Sequence, residues 1–321
     1  MEKKHKFLIY GLLSFTLLLI MIFILYLYRM SKPEQTISRG KITAILNNEN
    51  NLFWKDTWEG LRKEAEDRNF ELAEYQVTSG DSIADYLEIA VLTETNGIIF
   101  NPSMVRDPQS EEFLREAHEK GIPLISVDSD YKNVPSLSIK LDNISSSQKI
   151  ADYILQNIKG EKIILLTYDV NYSSPLHTRL DTIRRSLTDH GYEDNIILLK
   201  IPNDEVEIRE YLNTYLSDFQ ENAFLIGTGP QQTLYTARTI FSLGLTEQFH
   251  LIGFGESQEA IDLLKKGAIE ALLIQNNRQM GSLSVKYMEE ALSGSSLPDS
   301  SVFVDSSLYT DSNIDTLTQE H

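Results

Sequence analysis

Amides and carboxylates recur along this chain just after short β-branched runs. They stand at Asn47-Asn48-Glu49-Asn50-Asn51-Leu52-Phe53-Trp54, Asn101-Pro102-Ser103, Asp128-Ser129-Asp130 and Asp142-Asn143. Further along come Tyr168-Asp169 with His177 and Arg179 downstream, Thr228-Gly229-Pro230, Gly255-Glu256 and Gln275-Asn276-Asn277. Such side chains donate and accept hydrogen bonds, and Phe53 and Trp54 add aromatic faces. This is chemistry for holding a small polar molecule reversibly. Bond-breaking chemistry has little support: there is no G-x-S-x-G elbow, no phosphate loop and no H-E-x-x-H, and six histidines are dispersed without metal-ligand spacing. Gly227-x-Gly229 and Gly253-x-Gly255 are too short for a dinucleotide fingerprint. The expectation is a non-enzyme with no catalytic residue, metal or cofactor.

The elements that must position these groups alternate strand and helix. Candidate strands are 42–46, 72–77, 97–100, 123–127, 137–139, 162–167, 196–201, 223–226, 250–253 and 271–274, and stretches with helical spacing such as 56–68, 145–158, 176–190 and 279–292 lie between them. That order specifies parallel sheets covered by helices on both faces, and ten strands fit two sheets better than one. Ligands of open parallel sheets sit beyond the carboxyl ends of the strands, where the loops above fall. Residues 297–309 read as a last strand, and 311–321 as a flexible tail.

Composition narrows the partners. A net charge of −18 repels nucleic-acid backbone, so no nucleic-acid partner is expected, and zero cysteines exclude disulfides and thiol catalysis. The run Phe7–Tyr28 carries no charge, and at about 1.5 Å per residue it covers roughly the 30 Å hydrocarbon core of a bilayer. Lys3, Lys4 and Lys6 precede it, which places residues 1–6 in the cytoplasm and the remainder outside. Arg29-Met30-Ser31-Lys32-Pro33 makes a poor cleavage site, favouring an uncleaved anchor at 7–28 over a removed signal, with 29–40 as a linker. The expected location is the cell membrane, single-pass, with the binding domain extracellular or periplasmic.

The order N-N-x-F-W-x-x-x-x-x-G, N-P-S, G-I-P-x-I-x-x-D, L-D-N, L-I-G-F-G and A-x-x-x-Q over residues 41–305 resembles the type I periplasmic binding proteins of the ribose and galactose class. Effector domains of lactose-repressor-type regulators share that fold, but the apolar run rather than a helix-turn-helix pattern precedes residue 41 here. The resemblance implies an α/β protein of two doubly wound parallel-sheet lobes joined by a three-strand hinge, preceded here by one transmembrane helix. Residues 41–141 plus 277–303 would form lobe 1 and 142–276 plus 304–310 lobe 2, with Asp142 and Asn143 at the hinge. It further implies a cleft ligand touched by Asn51, Phe53, Trp54, Asp128 and Gln275. Asp142 and Asn143 more readily stabilise the crossing and the next helix start than touch ligand.

Departures from the pattern matter as well. Ser129 stands where an Arg is usual, His177 where the second-lobe helix usually presents a ligand-facing Arg, and Thr228-Gly229 where Asn-Asp is usual. Gly255 replaces a carboxylate, with Glu256 next door, and Arg179 is expected in an internal ion pair. His177 and Thr228 are carried as ligand candidates in their changed form. The family implies a solute-binding protein that closes on a small polar, sugar-like ligand for an ABC permease. The uncleaved span and changed contacts leave open a sensor that signals to a membrane histidine kinase, or a domain that binds a protein instead.

Overall fold

In the computed structural model the described residues are 15–24, 38–48, 52–78, 80–167, 174–202, 205–298 and 301–317. The chain divides into two compact units, Met1–Ser38 and Arg39–His321. In the first, residues 15–24 form a helix with exposed apolar side chains. No helix among the described residues is long and apolar enough to cross a membrane, and the remainder of the 7–28 run lies outside them.

The second unit runs β1 (Lys41–Asn47), α1 (Leu52–Asp67), β2 (Glu71–Val77), α2 (Ala84–Leu92), β3 (Gly97–Phe100), α3 (Pro108–Glu119), β4 (Leu124–Val127) and β5 (Leu137–Leu141). It then crosses into α4 (Asn143–Asn157), β6 (Lys162–Thr167), α5 (Ser174–Asp189), β7 (Ile196–Lys200), α6 (Glu205–Asp218), β8 (Ala223–Gly227), α7 (Pro230–Leu243), β9 (Phe249–Phe254), α8 (Gln258–Lys265) and β10 (Ala271–Gln275). It returns through α9 (Asn277–Leu292) and β11 (Val302–Val304) and crosses again to β12 (Ser306–Thr310).

Two six-stranded sheets result, ordered β11-β5-β4-β3-β1-β2 and β12-β10-β9-β8-β6-β7. Interior strands such as β3, β4 and β8 are buried at every position, whereas edge strand β2 alternates half-buried and exposed residues, as expected for sheets covered on both faces. Pairing is parallel except that β12 runs antiparallel to β10, with Ser306 opposite Gln275. The reason is geometric: a chain leaving the first sheet at a strand's carboxyl end enters the second sheet at the carboxyl ends of its strands.

The single last strand expected over 297–309 is therefore two short strands in different sheets, separated by Asp305. The segment after them also departs from expectation. Residues 311–317 form a turn and a short 3-10 helix, and Ile314 and Leu317 are buried in the second lobe's core, because their apolar side chains complete its lower face.

Helices α1 and α9 cross at glycines. A Cβ on Gly60 would lie 2.0 Å from the Arg278 carbonyl oxygen, and one on Gly281 2.1 Å from the Thr57 carbonyl oxygen. Backbones can approach that closely only without side chains between them. Trp58, fully buried beside this crossing, donates from Nε1 to the Asn47 carbonyl at 2.8 Å, tying α1 to the end of β1. The crossing fixes the first turns of both helices, which face the space between the lobes.

Hydrogen bonds stitch the three chain crossings together. Asn276 N donates to the Asp305 carbonyl at 2.8 Å, Gln279 Nε2 donates to Asp305 Oδ2 at 2.8 Å, and Asp305 N donates to Gln279 Oε1 at 2.7 Å. Ser146 and Ser306 hydroxyls meet at 2.9 Å, linking α4 to β12.

Candidate functional site

Beyond the carboxyl ends of both sheets lies a cleft of about 510 Å3. Helix α1 supplies Phe53 and Trp54, the β4 loop Asp128, helix α5 Leu176 and Arg179, and the loop after β9 Glu256. Phe254, Gln275 and Asn277 complete the working part of the wall. Phe53 and Trp54 stand edge to face at 4.6 Å, offering apolar surface beside the polar groups.

Asp128 follows the fully buried β4 and turns with φ 77°, a left-handed conformation that costs a non-glycine residue roughly 1 kcal/mol or more. Its amide donates to the Ile139 carbonyl at 2.9 Å, which holds that turn. Burial pushes its carboxyl up to about 6, and the charge of Arg179 acts in the opposite direction.

Arg179 is held from three sides. Nε donates to Asn143 Oδ1 at 2.7 Å, Nη1 donates to the Thr228 carbonyl at 3.0 Å, and the guanidinium lies 4.2 Å from the centre of the Phe254 ring. Burial lowers its pKa to about 10 against the raising influence of Asp128. A guanidinium so fixed presents its fork at little entropic cost, and with Asp128 it places opposite charges on the two lobes.

Glu256 belongs to a chain of side chains between the lobes. Gln275 Nε2 donates to Asn277 Oδ1 at 2.8 Å, and Asn277 Nδ2 donates to Glu256 Oε2 at 3.2 Å. Burial, then the charge of Asp56 on α1, raises the Glu256 carboxyl to about 7, with the Asn277 hydrogen bond opposing. The residue before it must be glycine: Gly255 has φ 118°, and a Cβ there would sit 2.7 Å from Pro230 Cβ.

Of the residues singled out in the sequence, the structure brings Phe53, Trp54, Asp128 and Gln275 into one wall. Asn51 lies outside the described residues. His177 is not in the wall: it is exposed, with Nδ1 3.3 Å from Asp181 Oδ2 one helical turn on. Thr228 is buried, its hydroxyl donating to Gln232 Oε1 at 2.9 Å, and it serves the cleft through the carbonyl that receives Arg179. Asp142 caps α4 by accepting from Ile144 N at 3.1 Å and Ser145 N at 3.0 Å, while Asn143 orients Arg179.

Arg179, Glu256 and Asn277 stand in the polar loops noted from the sequence but were not carried as ligand candidates. Helical spacing carried a signal for the first. Pro175 and Leu176 line the cleft, and a residue three or four positions on shares their face, whereas position 177 points about 100° or more away from it. Among the described residues no group of three or more His, Asp or Glu could hold a metal ion.

The family model described as "Periplasmic binding protein domain" matches residues 42–296. No curated protein sequence matches the chain. Among solved structures, the sugar-binding protein of a sugar ABC transporter from Bacillus halodurans is similar with a TM-score of 0.74 at 18% identity, covering 86% of this chain and 99% of that one. An ABC transporter solute-binding protein from Agrobacterium vitis, bound with α-D-tagatopyranose, gives 0.73 at 18% identity, covering 86% and 96%. A chain of the XylFII–LytSN complex gives 0.68 at 17% identity, covering 85% and 98%.

Proposed function

The chain belongs to the periplasmic binding protein domain family, and from that premise we propose that it is an extracytoplasmic solute-binding protein that closes on a small polar, sugar-sized ligand for ABC-type uptake. In this reading the run Phe7–Tyr28 anchors it to the membrane. One observation carries the proposal: Asp128 from the first lobe and Arg179 from the second face the same cleft beside Phe53 and Trp54, so a bound molecule meets hydrogen-bonding charge from both lobes and an aromatic wall.

Closure follows from that placement. A ligand that hydrogen-bonds both lobes favours the closed form by the contacts it makes only there. Arg179, held by Asn143, Thr228 and Phe254, needs no rearrangement to engage a hydroxyl.

Thermal unfolding of the full-length protein against pentoses, hexoses, polyols and nucleosides tests this. A ligand at 100 times its Kd is expected to add about 2.7 kcal/mol. A well-folded sample that responds to none of them would overturn the reading.

A second reading keeps the cleft and changes what reads it: a membrane histidine kinase in place of a permease. The XylFII–LytSN complex favours it, since a chain of this fold is there held with a second protein. Copurification of the anchored protein with a kinase, strengthened by ligand, would support sensing, and copurification with a permease would support uptake.

A further inference from the structure

We propose that the ligand site continues past Asp128 into a second compartment, so that the chain selects a disaccharide over the single sugars it contains; this rests on the solute-binding reading above. A further cavity of about 540 Å3 adjoins the cleft. Asp128 and Pro175 line both, so the two share the carboxylate after β4 and the start of α5. A hydrogen bond joins them as well: Arg179, which lines the cleft, donates from Nε to Oδ1 of Asn143, which lines the second cavity. Polar groups able to bond the hydroxyls on either side of a glycosidic linkage thus stand at the junction.

The second compartment has its own means of holding a sugar ring. Phe303 of edge strand β11 is 49% exposed, and Lys140 Nζ lies 5.8 Å from the centre of its ring. That cation steadies the aromatic surface, which can take the C–H face of a sugar. Lys140 also donates to Asp130 Oδ2, and Asp130 Oδ1 accepts from Ser301 Oγ at 3.0 Å. Here again an aromatic ring stands beside charged hydrogen-bonding groups, as Phe53 and Trp54 stand beside Asp128 in the cleft. Across from these first-lobe side chains, the second lobe contributes Ile144, which is 63% exposed, and Thr178. A sugar ring lodged there would cover apolar surface of Phe303 and Ile144 together, from opposite lobes. Each compartment lies within the roughly 300–1,000 Å3 usual for a small-molecule site, so one ring seated in the cleft leaves the other to water. A second ring adds contacts to both lobes and so adds to the advantage of the closed form.

The test compares maltose, cellobiose, lactose, melibiose and xylobiose with glucose, galactose and xylose, by thermal shift and calorimetry on the full-length protein at fixed pH and salt. At least one disaccharide is expected to bind ten-fold or more tightly than each of its constituent sugars. Phe303→Ala is expected to bring that ratio close to one; if this variant fails to fold, Asp130→Ala carries the same expectation. A ratio that the folded variant leaves unchanged would overturn the extended site and leave the solute-binding reading standing. Single sugars that bind as tightly as the disaccharides containing them, or a response confined to single sugars, polyols or nucleosides, would do the same. No response to any compound, here and in the wider panel, would overturn both.

Discussion

Asn143 Oδ1 accepts a hydrogen bond from Arg179 Nε at 2.7 Å, joining the first residue of α4, next to the hinge, to the cation of the cleft wall. One side chain thus couples the crossing point of the lobes to the group placed to meet ligand. Replacing Asn143 by Ala is expected to weaken ligand binding about ten-fold, since a hydrogen bond to a charged group is worth about 1.5–3 kcal/mol and part of it is recovered from water. Calorimetric titration would show the loss. Unchanged affinity would mean that Thr228 and Phe254 position Arg179 without help.

His177 and Arg179 separate two readings of α5. Arg179→Ala is expected to abolish ligand-induced stabilisation, while His177→Ala leaves it intact and shifts unfolding by less than about 0.5 kcal/mol, as for an ordinary exposed residue. Melting curves with and without ligand check both variants. The opposite pattern would put the ligand on the other face of the helix.

The α1/α9 crossing leaves no room for a methyl group. Gly281→Ala, whose new carbon would meet the Thr57 carbonyl at 2.1 Å, is expected to cost at least about 2 kcal/mol in urea unfolding. It should also weaken ligand binding, because the strain displaces Trp54 and Asn277 together.

Stability of the ligand-free protein is expected to depend on pH through Glu256 and Asp128. Burial raises both, Glu256 from an ordinary 4.5 to about 7 and Asp128 from 3.8 to about 6. Each binds its proton more tightly folded than unfolded, so folding is favoured while both are protonated and the advantage fades as pH climbs. Their joint contribution is full below about pH 4 and is lost as pH rises through about 6 for Asp128 and about 7 for Glu256. The charge of Asp56 raises the Glu256 carboxyl further, and the Asn277 hydrogen bond opposes that rise. Urea midpoints of the parent and Glu256→Gln between pH 5 and 8 should show a shallower fall in the variant. Parallel curves would show that Glu256 keeps an ordinary pKa.

At the chain's far end, Ile314→Ala and Leu317→Ala are each expected to destabilise the protein by about 2–4 kcal/mol, as for buried aliphatic residues elsewhere. A loose tail would give no change.

Much of this molecule is legible from its residues because buried parallel strands leave a plain mark. Runs such as Gly97–Phe100 and Ala223–Gly227 are apolar throughout and end in turn residues, so strand order and the loops at their carboxyl ends follow. Phe53, Trp54, Asp128 and Gln275 sit at a strand's last residue, on the loop after it or in the next helix's first turn, and the structure sets them in one wall. Arg179 was harder because its place depends on the rotation of α5 about its own axis, which only the packing of that helix settles. Glu256 and Asn277 depend on two lobes facing each other, and no local pattern records which side chains meet across a gap. The division of residues 302–310 between two sheets was hidden for the same reason: Val302–Val304 and Ser306–Thr310 read as one extended stretch until their different partners are known.

The glycine crossing of α1 and α9 also bears on when the fold can form. Helix α1 begins at Leu52 and its partner α9 ends at Leu292, while the first sheet awaits Val304 for its outermost strand. A growing chain with 141 residues released has every other strand of its first lobe but lacks the helix that covers Trp58 and Leu61. That lobe stays unsealed through synthesis of the second lobe and closes only when the chain from Asn277 onward, about its last seventh, emerges.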